Sequence, residues 1–183
     1  MKTNKNNFID LFCGAGGLSL GFERAGYVCV GAIDNSKACI ETHKLNFPNC
    51  ISINSDISDI TPKKFSDIIK NKKIDLIVGG PPCPTFSTIG HAKIKSIKTK
   101  NNSSFTLFDD ERNFLFKKYF DYIEYFQPNF FVMENVPNFM TKYQGNIFKQ
   151  TKNKIEELGY QILNENNLLF NAADYGVPQT RKR

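Results

Sequence analysis

Asp75-Leu76-Ile77-Val78-Gly79-Gly80-Pro81-Pro82-Cys83-Pro84-Thr85-Phe86-Ser87 begins as a strand and ends as a clamp. The apolar run Leu76–Val78 has the length and composition of a buried strand. Two glycines then let the backbone turn without a side-chain penalty. Prolines at 81, 82 and 84 fix φ on both sides of Cys83 and remove three N–H donors. The product is a stiff bend at a strand's carboxyl end that presents one thiol. Ligands of open α/β sheets bind in that place. A free cysteine alone reads as a small buried hydrophobe, but a core position needs no such rigid presentation.

Strands and helices alternate on both sides of this bend. Phe8–Phe12 reads as a strand, followed by a glycine turn and a helix over Leu18–Ala25 stopped by Gly26. Tyr27–Ile33 is the second strand. Ser36 is placed to cap a helix reaching Asn46, which Pro48 closes. Ile51–Ile53 is a short third strand, and Pro62–Asn71 a helix leading into the Cys83 strand. Residues 87–111 carry no periodic apolar pattern and include Lys93, Lys95, Lys98 and Lys100. A loop of that length is functional or disordered. Arg112–Phe126 is a helix with Leu115, Tyr119, Tyr122, Ile123 and Phe126 on one face, and Phe130–Met133 is the next strand. Phe148, Thr151, Ile155 and Leu158 mark a further helix, stopped by Gly159. Tyr160–Leu163 and Leu168–Phe170 read as a closing hairpin around residues 164–167. The alternation predicts an α/β fold with a doubly wound, mostly parallel sheet.

Three features stand at successive strand ends. Gly14, Gly16 and Gly17 fill the first strand–helix turn, where backbone N–H groups can approach a ligand's negative end. Ser19 occupies the third glycine position of a strict G-x-G-x-x-G, which weakens a dinucleotide reading. Asp34 closes the second strand, where a carboxylate can accept from ribose hydroxyls. Asp56 comes after the third strand, within reach of an adenine amino group. Either aspartate alone reads as a helix cap or a turn residue. All three together point to an adenosine-bearing cofactor.

The proline-clamped cysteine resembles the catalytic loop of the DNA (cytosine-5) methyltransferases. Phe8-Ile9-Asp10-Leu11-Phe12-Cys13-Gly14-Ala15-Gly16-Gly17, Glu134-Asn135-Val136 and Gln179-Thr180-Arg181-Lys182-Arg183 resemble three more blocks of that family, in the family's order. The resemblance implies a Rossmann-like fold that binds S-adenosylmethionine. It implies cofactor contacts from Phe12, Gly14, Gly16, Gly17, Asp34, Asn35, Asp56, Ile57, Pro81 and Leu115. It implies a catalytic group of Cys83, Glu134, Arg181 and Arg183, with double-stranded DNA as substrate and a restriction-modification system as setting. Two departures are visible. Pro84 stands where many members have glutamine, and Asn35 where many have an aromatic residue.

The chemistry needs these residue types. Cytosine C5 is a poor nucleophile until the ring's conjugation is broken, and a thiolate adding at C6 does this. A carboxyl group that carries a proton can deliver it to N3, and Glu134 is the candidate. By the resemblance, Arg181 reaches towards the base's O2 and the thiol, while Arg183 orients Glu134. The spacing of the two arginines puts both on one side of an extended segment, with Lys182 opposite. A base inside a duplex must be flipped out to be reached. The loop lysines suit phosphate neutralisation rather than sequence reading. Taken singly, Glu134 reads as an ordinary strand-end carboxylate, and the arginines and lysines as solvated charges.

Composition bounds the rest. The chain has 183 residues, and 24 Lys+Arg against 18 Asp+Glu give a net charge of +6, which suits a nucleic-acid partner. Cysteines 13, 29, 39, 50 and 83 form no C-x-x-C pair, and the only histidines are His43 and His91. No metal site and no disulfide framework are expected. A reduced, bacterial cytoplasmic setting at the nucleoid is expected, with no membrane span and no signal peptide. Residues 1–183 are expected to form one incomplete catalytic and cofactor-binding domain. The family's pattern breaks off inside the arginine block, before a target-recognition region. A piece of a longer enzyme, one chain of a split enzyme with a second, target-recognising chain, and the product of a disrupted gene all fit. Alone, the chain is expected to have little activity and weak, non-specific DNA binding. A tRNA cytosine methyltransferase, a non-catalytic binding domain and a small-molecule methyltransferase are the rival readings.

Overall fold

The computed structural model describes residues 6–82, 114–165 and 167–183, which divide into two compact units. The first unit lies within Met1–Pro81 and Leu115–Glu134; the second takes in Asn135–Arg183. Cys83 and the lysine-bearing segment 87–111 lie outside the described residues, as do Arg112 and Asn113.

The first unit is a five-stranded sheet: β1 (Asn7–Leu11), β2 (Val28–Asp34), β3 (Ile51–Asn54), β4 (Leu76–Gly79) and β5 (Phe130–Met133). The strand order is β3-β2-β1-β4-β5, and every pairing is parallel. The doubly wound parallel sheet expected from the alternation is therefore present, and the order reverses between β1 and β4. Leu11 lies opposite both Ile33 and Gly79, and Gly79 lies opposite Met133. A Cβ on Gly79 would stand 2.2 Å from the Leu11 carbonyl oxygen. The strands can approach there only because Gly79 has no side chain.

Helices cover both faces. α1 (Gly17–Arg24) and α2 (Lys37–Asn46) lie on the side of Phe8, whose ring meets Phe22 at 5.9 Å. α3 (Pro62–Ile68) and α4 (Phe114–Phe126) cover the other side, where Phe65 meets Tyr122 edge to face at 5.5 Å. The buried stripe of α4 is Phe116, Tyr119, Phe120, Tyr122 and Ile123, wider than the periodicity alone suggests; Leu115 and Phe126 lie at its margins. Both stripe tyrosines satisfy their hydroxyls on backbone carbonyls, Tyr119 on Val132 and Tyr122 on Ile60, each at 2.9 Å. A bulge at Val30 shifts the β1–β2 register, so Phe8 pairs with Cys29 but Ile9 with Gly31. Cys29 consequently faces α1 and α2, while Gly31 backs onto Phe65 and Ile69.

The caps agree with the sequence. The Ser36 hydroxyl accepts from the Cys39 amide and the Thr61 hydroxyl from Lys64, with Pro62 opening α3. Gly26 ends α1 with φ +93°. Several boundaries shift by a residue or more, and at two ends the backbone shows why. Phe12 is not strand: it turns with φ +63°, so β1 stops at Leu11. α3 ends at Ile68, because Lys70 and Asn71 both take left-handed backbone.

In the second unit, α5 (Asn138–Thr141) and α6 (Asn146–Glu157) are helical, and Phe139 meets Phe148 at 6.5 Å. The buried face of α6 is Ile147, Thr151 and Ile155, and Gly159 stops the helix with φ +84°. The expected hairpin of Tyr160–Leu163 with Leu168–Phe170 is absent. The chain does turn at Asn164, where the Asn167 amide bonds its carbonyl at 2.7 Å, but the two arms do not pair. Phe170 exchanges both backbone bonds with Arg183, and Asn171 bridges Lys182 in antiparallel fashion. The arginine block takes the hydrogen bonds that a hairpin would have used. Among the described residues no helix is long and apolar enough to cross a membrane.

Substituting Gly79→Ala is expected to lower the unfolding free energy by about 1–3 kcal/mol, the usual range for overpacking. Urea denaturation measures it, and an unchanged midpoint would show that the β1–β4 contact can yield.

Candidate cofactor-binding and active site

The parallel register aligns the residues just past the strand ends. Phe12, Asp34, Asn54, Gly80 and Glu134 directly succeed Leu11, Ile33, Ile53, Gly79 and Met133, so they form one row along the carboxyl edge. Neighbouring strands are about 4.8 Å apart, which puts Glu134 roughly 10 Å along the row from Phe12. The row crosses the point where strand order reverses, the place where open α/β sheets bind ligands.

The glycine turn is anchored from β2. The Cys13 amide bonds the Ile33 carbonyl at 3.1 Å, and the Gly14 amide donates to Asp34 Oδ2 at 2.9 Å. Asp34 Oδ1 accepts from the Ser36 amide at 2.8 Å. The carboxylate thus holds two backbone amides, and each oxygen keeps a lone pair for a further donor such as a hydroxyl. The three glycines divide by role. A Cβ on Gly14 or Gly17 would meet nothing within 4 Å, so both border open space. Gly16 has φ +100°, and a Cβ there would lie 2.3 Å from the Phe47 ring. It is a packing position as well as the residue that opens α1. Phe12, a bulky residue in left-handed backbone, marks a locally strained turn.

Asp56 comes after β3 and caps the short turn Ile57–Asp59. Its Oδ1 accepts from the Ser58 amide at 2.9 Å and hydroxyl at 2.6 Å. Those bonds, with a smaller one from Asn35, hold its carboxyl below the usual range. Asn35 is exposed beside it, and Ile57 is buried at 3 %. Asp34, Asn35, Asp56 and Ile57 therefore gather at one end of the row. Pro81 is buried after β4, Leu115 half-buried in the first turn of α4. The Glu134 amide bonds the Gly79 carbonyl at 2.9 Å, and a Cβ on Gly80 would lie 3.0 Å from Glu134 Oε2. The carboxyl is folded over the glycine that leads to Cys83.

Arg181 and Arg183 belong to the second unit. Their segment pairs with residues 170–172: the Arg181 carbonyl accepts from the Ala172 amide at 2.9 Å, and Arg183 exchanges both backbone bonds with Phe170.

A buried polar chain behind the turn is not apparent from sequence patterning. Asp10 Oδ2 accepts from the Ser19 hydroxyl at 2.6 Å, Ser19 Oγ lies 3.1 Å from His43 Nε2, and His43 Nδ1 lies 2.8 Å from the Ser52 hydroxyl. All four residues are buried. Two signals could have found it: Asp10 is a carboxylate inside an apolar central strand, and Ser19 displaces a glycine. Burial is the main reason the Asp10 carboxyl is pushed up to about 7, partly offset by Ser19. Burial and nearby carboxylates push the Cys13 thiol far up. The Cys29 thiol is raised by its hydrogen bond with Cys50, 3.1 Å away, and by burial. Neither offers a thiolate near neutral pH.

A family model described as C-5 cytosine-specific DNA methylase matches residues 6–183. The chain belongs to that family. Type II methyltransferase M1.HphI of Haemophilus parahaemolyticus is 38% identical over 176 residues, which are 96% of this chain and 44% of that protein. M.XorII of Xanthomonas oryzae pv. oryzae is 37% identical over 96% of this chain and 38% of its own length. A prophage-encoded DNA modification methyltransferase of E. coli superposes with a TM-score of 0.75 at 34% identity, covering 97% of this chain and 44% of that one. Dnmt2 of S. pombe, at 18% identity and a TM-score of 0.59, shares the fold. The chain spans less than half the length of these methylase relatives.

Above about pH 4 an unfolded Asp10 gives up the proton that the folded residue keeps to about pH 7. Its contribution to stability therefore falls as pH rises from about 4 to about 7 and is level on either side. Relative to wild type, Asp10→Asn should gain a few kcal/mol across that window, because amides do not ionise. Denaturation midpoints of both proteins at several pH values measure the difference; one that stays constant contradicts a proton on Asp10.

Proposed function

We propose that the protein transfers a methyl group from S-adenosylmethionine to C5 of cytosine in double-stranded DNA, within a bacterial restriction-modification system in the cytoplasm. One observation carries this reading: in a chain of the C5 methylase family, Asp34, the glycine turn and Glu134 stand in one row across the strand-order reversal. The residues present fit the cofactor. Open space at Gly14 and Gly17 leaves room beside the turn, Asp34 keeps acceptor capacity, and Asp56, Asn35 and Ile57 cluster where an adenine would be gripped. Phe12, Gly16, Pro81 and Leu115 complete the proposed cradle.

When bound, S-adenosylmethionine supplies an electrophilic methyl. The chain's own residues prepare the acceptor. Cytosine is flipped out of the duplex. The Cys83 thiolate forms a bond to C6, the C5–C6 π pair moves to C4–C5, and the C4–N3 pair takes the proton of Glu134 at N3. C5, now enamine-like, accepts the methyl, and the N3 proton returns to Glu134. A base then removes the C5 proton, C5–C6 becomes double again, and the thiolate leaves. Arg181 steadies the base's O2 and favours the thiolate, while Arg183 orients Glu134. Site selection is assigned to a target-recognition part, on the same or a second chain.

Incubating the intact protein with duplex DNA and methyl-labelled cofactor is expected to put label on cytosine C5. Cys83→Ser should fall to background, and Glu134→Gln should lose roughly 10²–10⁴-fold in rate. A duplex carrying 5-fluorocytosine should become covalently attached at Cys83. Label in tRNA alone, or full activity in Cys83→Ser, would overturn the reading.

A further inference from the structure

We infer that His43 is a positioning residue for the glycine turn, holding the first turn of α1 through a directional chain of buried side chains. The direction is set by the hydrogens available. Asp10 Oδ2 takes the single Ser19 hydroxyl hydrogen at 2.6 Å, and the proton that Asp10 keeps below about pH 7 belongs on Oδ1, the oxygen with no other partner. Ser19 Oγ therefore presents a lone pair to His43 Nε2 at 3.1 Å, which must carry the ring hydrogen. Nδ1 is then bare and accepts from the Ser52 hydroxyl at 2.8 Å. One neutral tautomer satisfies all three contacts. Burial, which lowers the pKa of His43, favours that uncharged ring.

The same ring supports the turn from below. It packs on Phe47 with centroids 4.5 Å apart, and the pair fills the space where Gly16 would carry a Cβ, at 2.3 Å from Phe47 and 3.0 Å from His43. His43 thus fixes both residue 16, which opens α1, and residue 19, in its first turn. β1, α1, α2 and β3 each contribute one member of the chain, so it ties the turn to the sheet on both sides of β2. Nothing in the methyl-transfer chemistry requires His43 to touch a ligand.

This inference rests on the proposed cofactor role of the turn, and two measurements separate them. Amide hydrogen exchange at Gly14, Gly16 and Leu20, whose amides bond Asp34, Cys13 and Gly16, reads the turn itself. Cofactor affinity, measured by calorimetry with S-adenosylmethionine, reads its use. In the intact protein, His43→Leu is expected to speed exchange at these amides selectively and to weaken cofactor binding about tenfold. His43→Gln, which can still donate to Ser19, should restore most of both, and Ser19→Ala should mimic the Leu variant. Unchanged exchange in His43→Leu, or a Gln variant no better than Leu, overturns the positioning role. If exchange behaves as expected and the wild type binds no cofactor, the positioning role stands and the cofactor reading falls.

Discussion

The contact between Gly79 and the Leu11 carbonyl governs the rest of the first unit. Two parallel strands whose connections leave in opposite directions meet there, and their closeness fixes the register of both halves of the sheet. β2 and β3 are placed through β1, and β5 through β4. The residues just past each strand then fall in line without further instruction. A row carrying an aspartate near one end, a glycine turn near the centre and a glutamate at the other is a consequence of that single register.

Most of this is legible in the chain because its signals are local. Alternating apolar runs and polar turns mark the strands, and Ser36, Pro62, Gly26 and Gly159 mark helix ends through their own backbone chemistry. The features that escape depend on distant partners. Phe12 looks like strand until the Gly14–Asp34 bond requires the chain to bend there. Leu168–Phe170 reads as one arm of a hairpin, yet its hydrogen bonds go to the arginine block, a choice no local pattern encodes. His43 looks like one of two scattered histidines, because its meaning lies in Ser19 and Ser52, one on a helix and one on a strand. Asp56 caps a turn, so its solvated reading and its proposed ligand role coexist in one carboxylate.

The described cysteines clarify the division of labour. Cys13 and Cys29 are buried with thiols pushed up, and they behave as small core residues. A nucleophile demands the opposite setting: exposure, a rigid backbone and a nearby cation. Only the proline-clamped segment has that character in sequence. Glu134 stands at the end of β5 with its carboxyl folded over Gly80, at the end of the neighbouring β4.

The bulge at Val30 carries a consequence for how this gene can vary. By inserting one extra residue, β2 turns Cys29 towards one helical layer and Gly31 towards the other. Losing the Val30 codon would make Cys29 and Gly31 consecutive, and consecutive strand residues already point to opposite faces. Phe8 would keep Cys29, Ile9 would keep Gly31, and Asp34 would stay on the rim where it grips Gly14. A one-codon loss elsewhere in β2 would instead turn one half of the strand over, so position 30 is where this strand best tolerates a change of length.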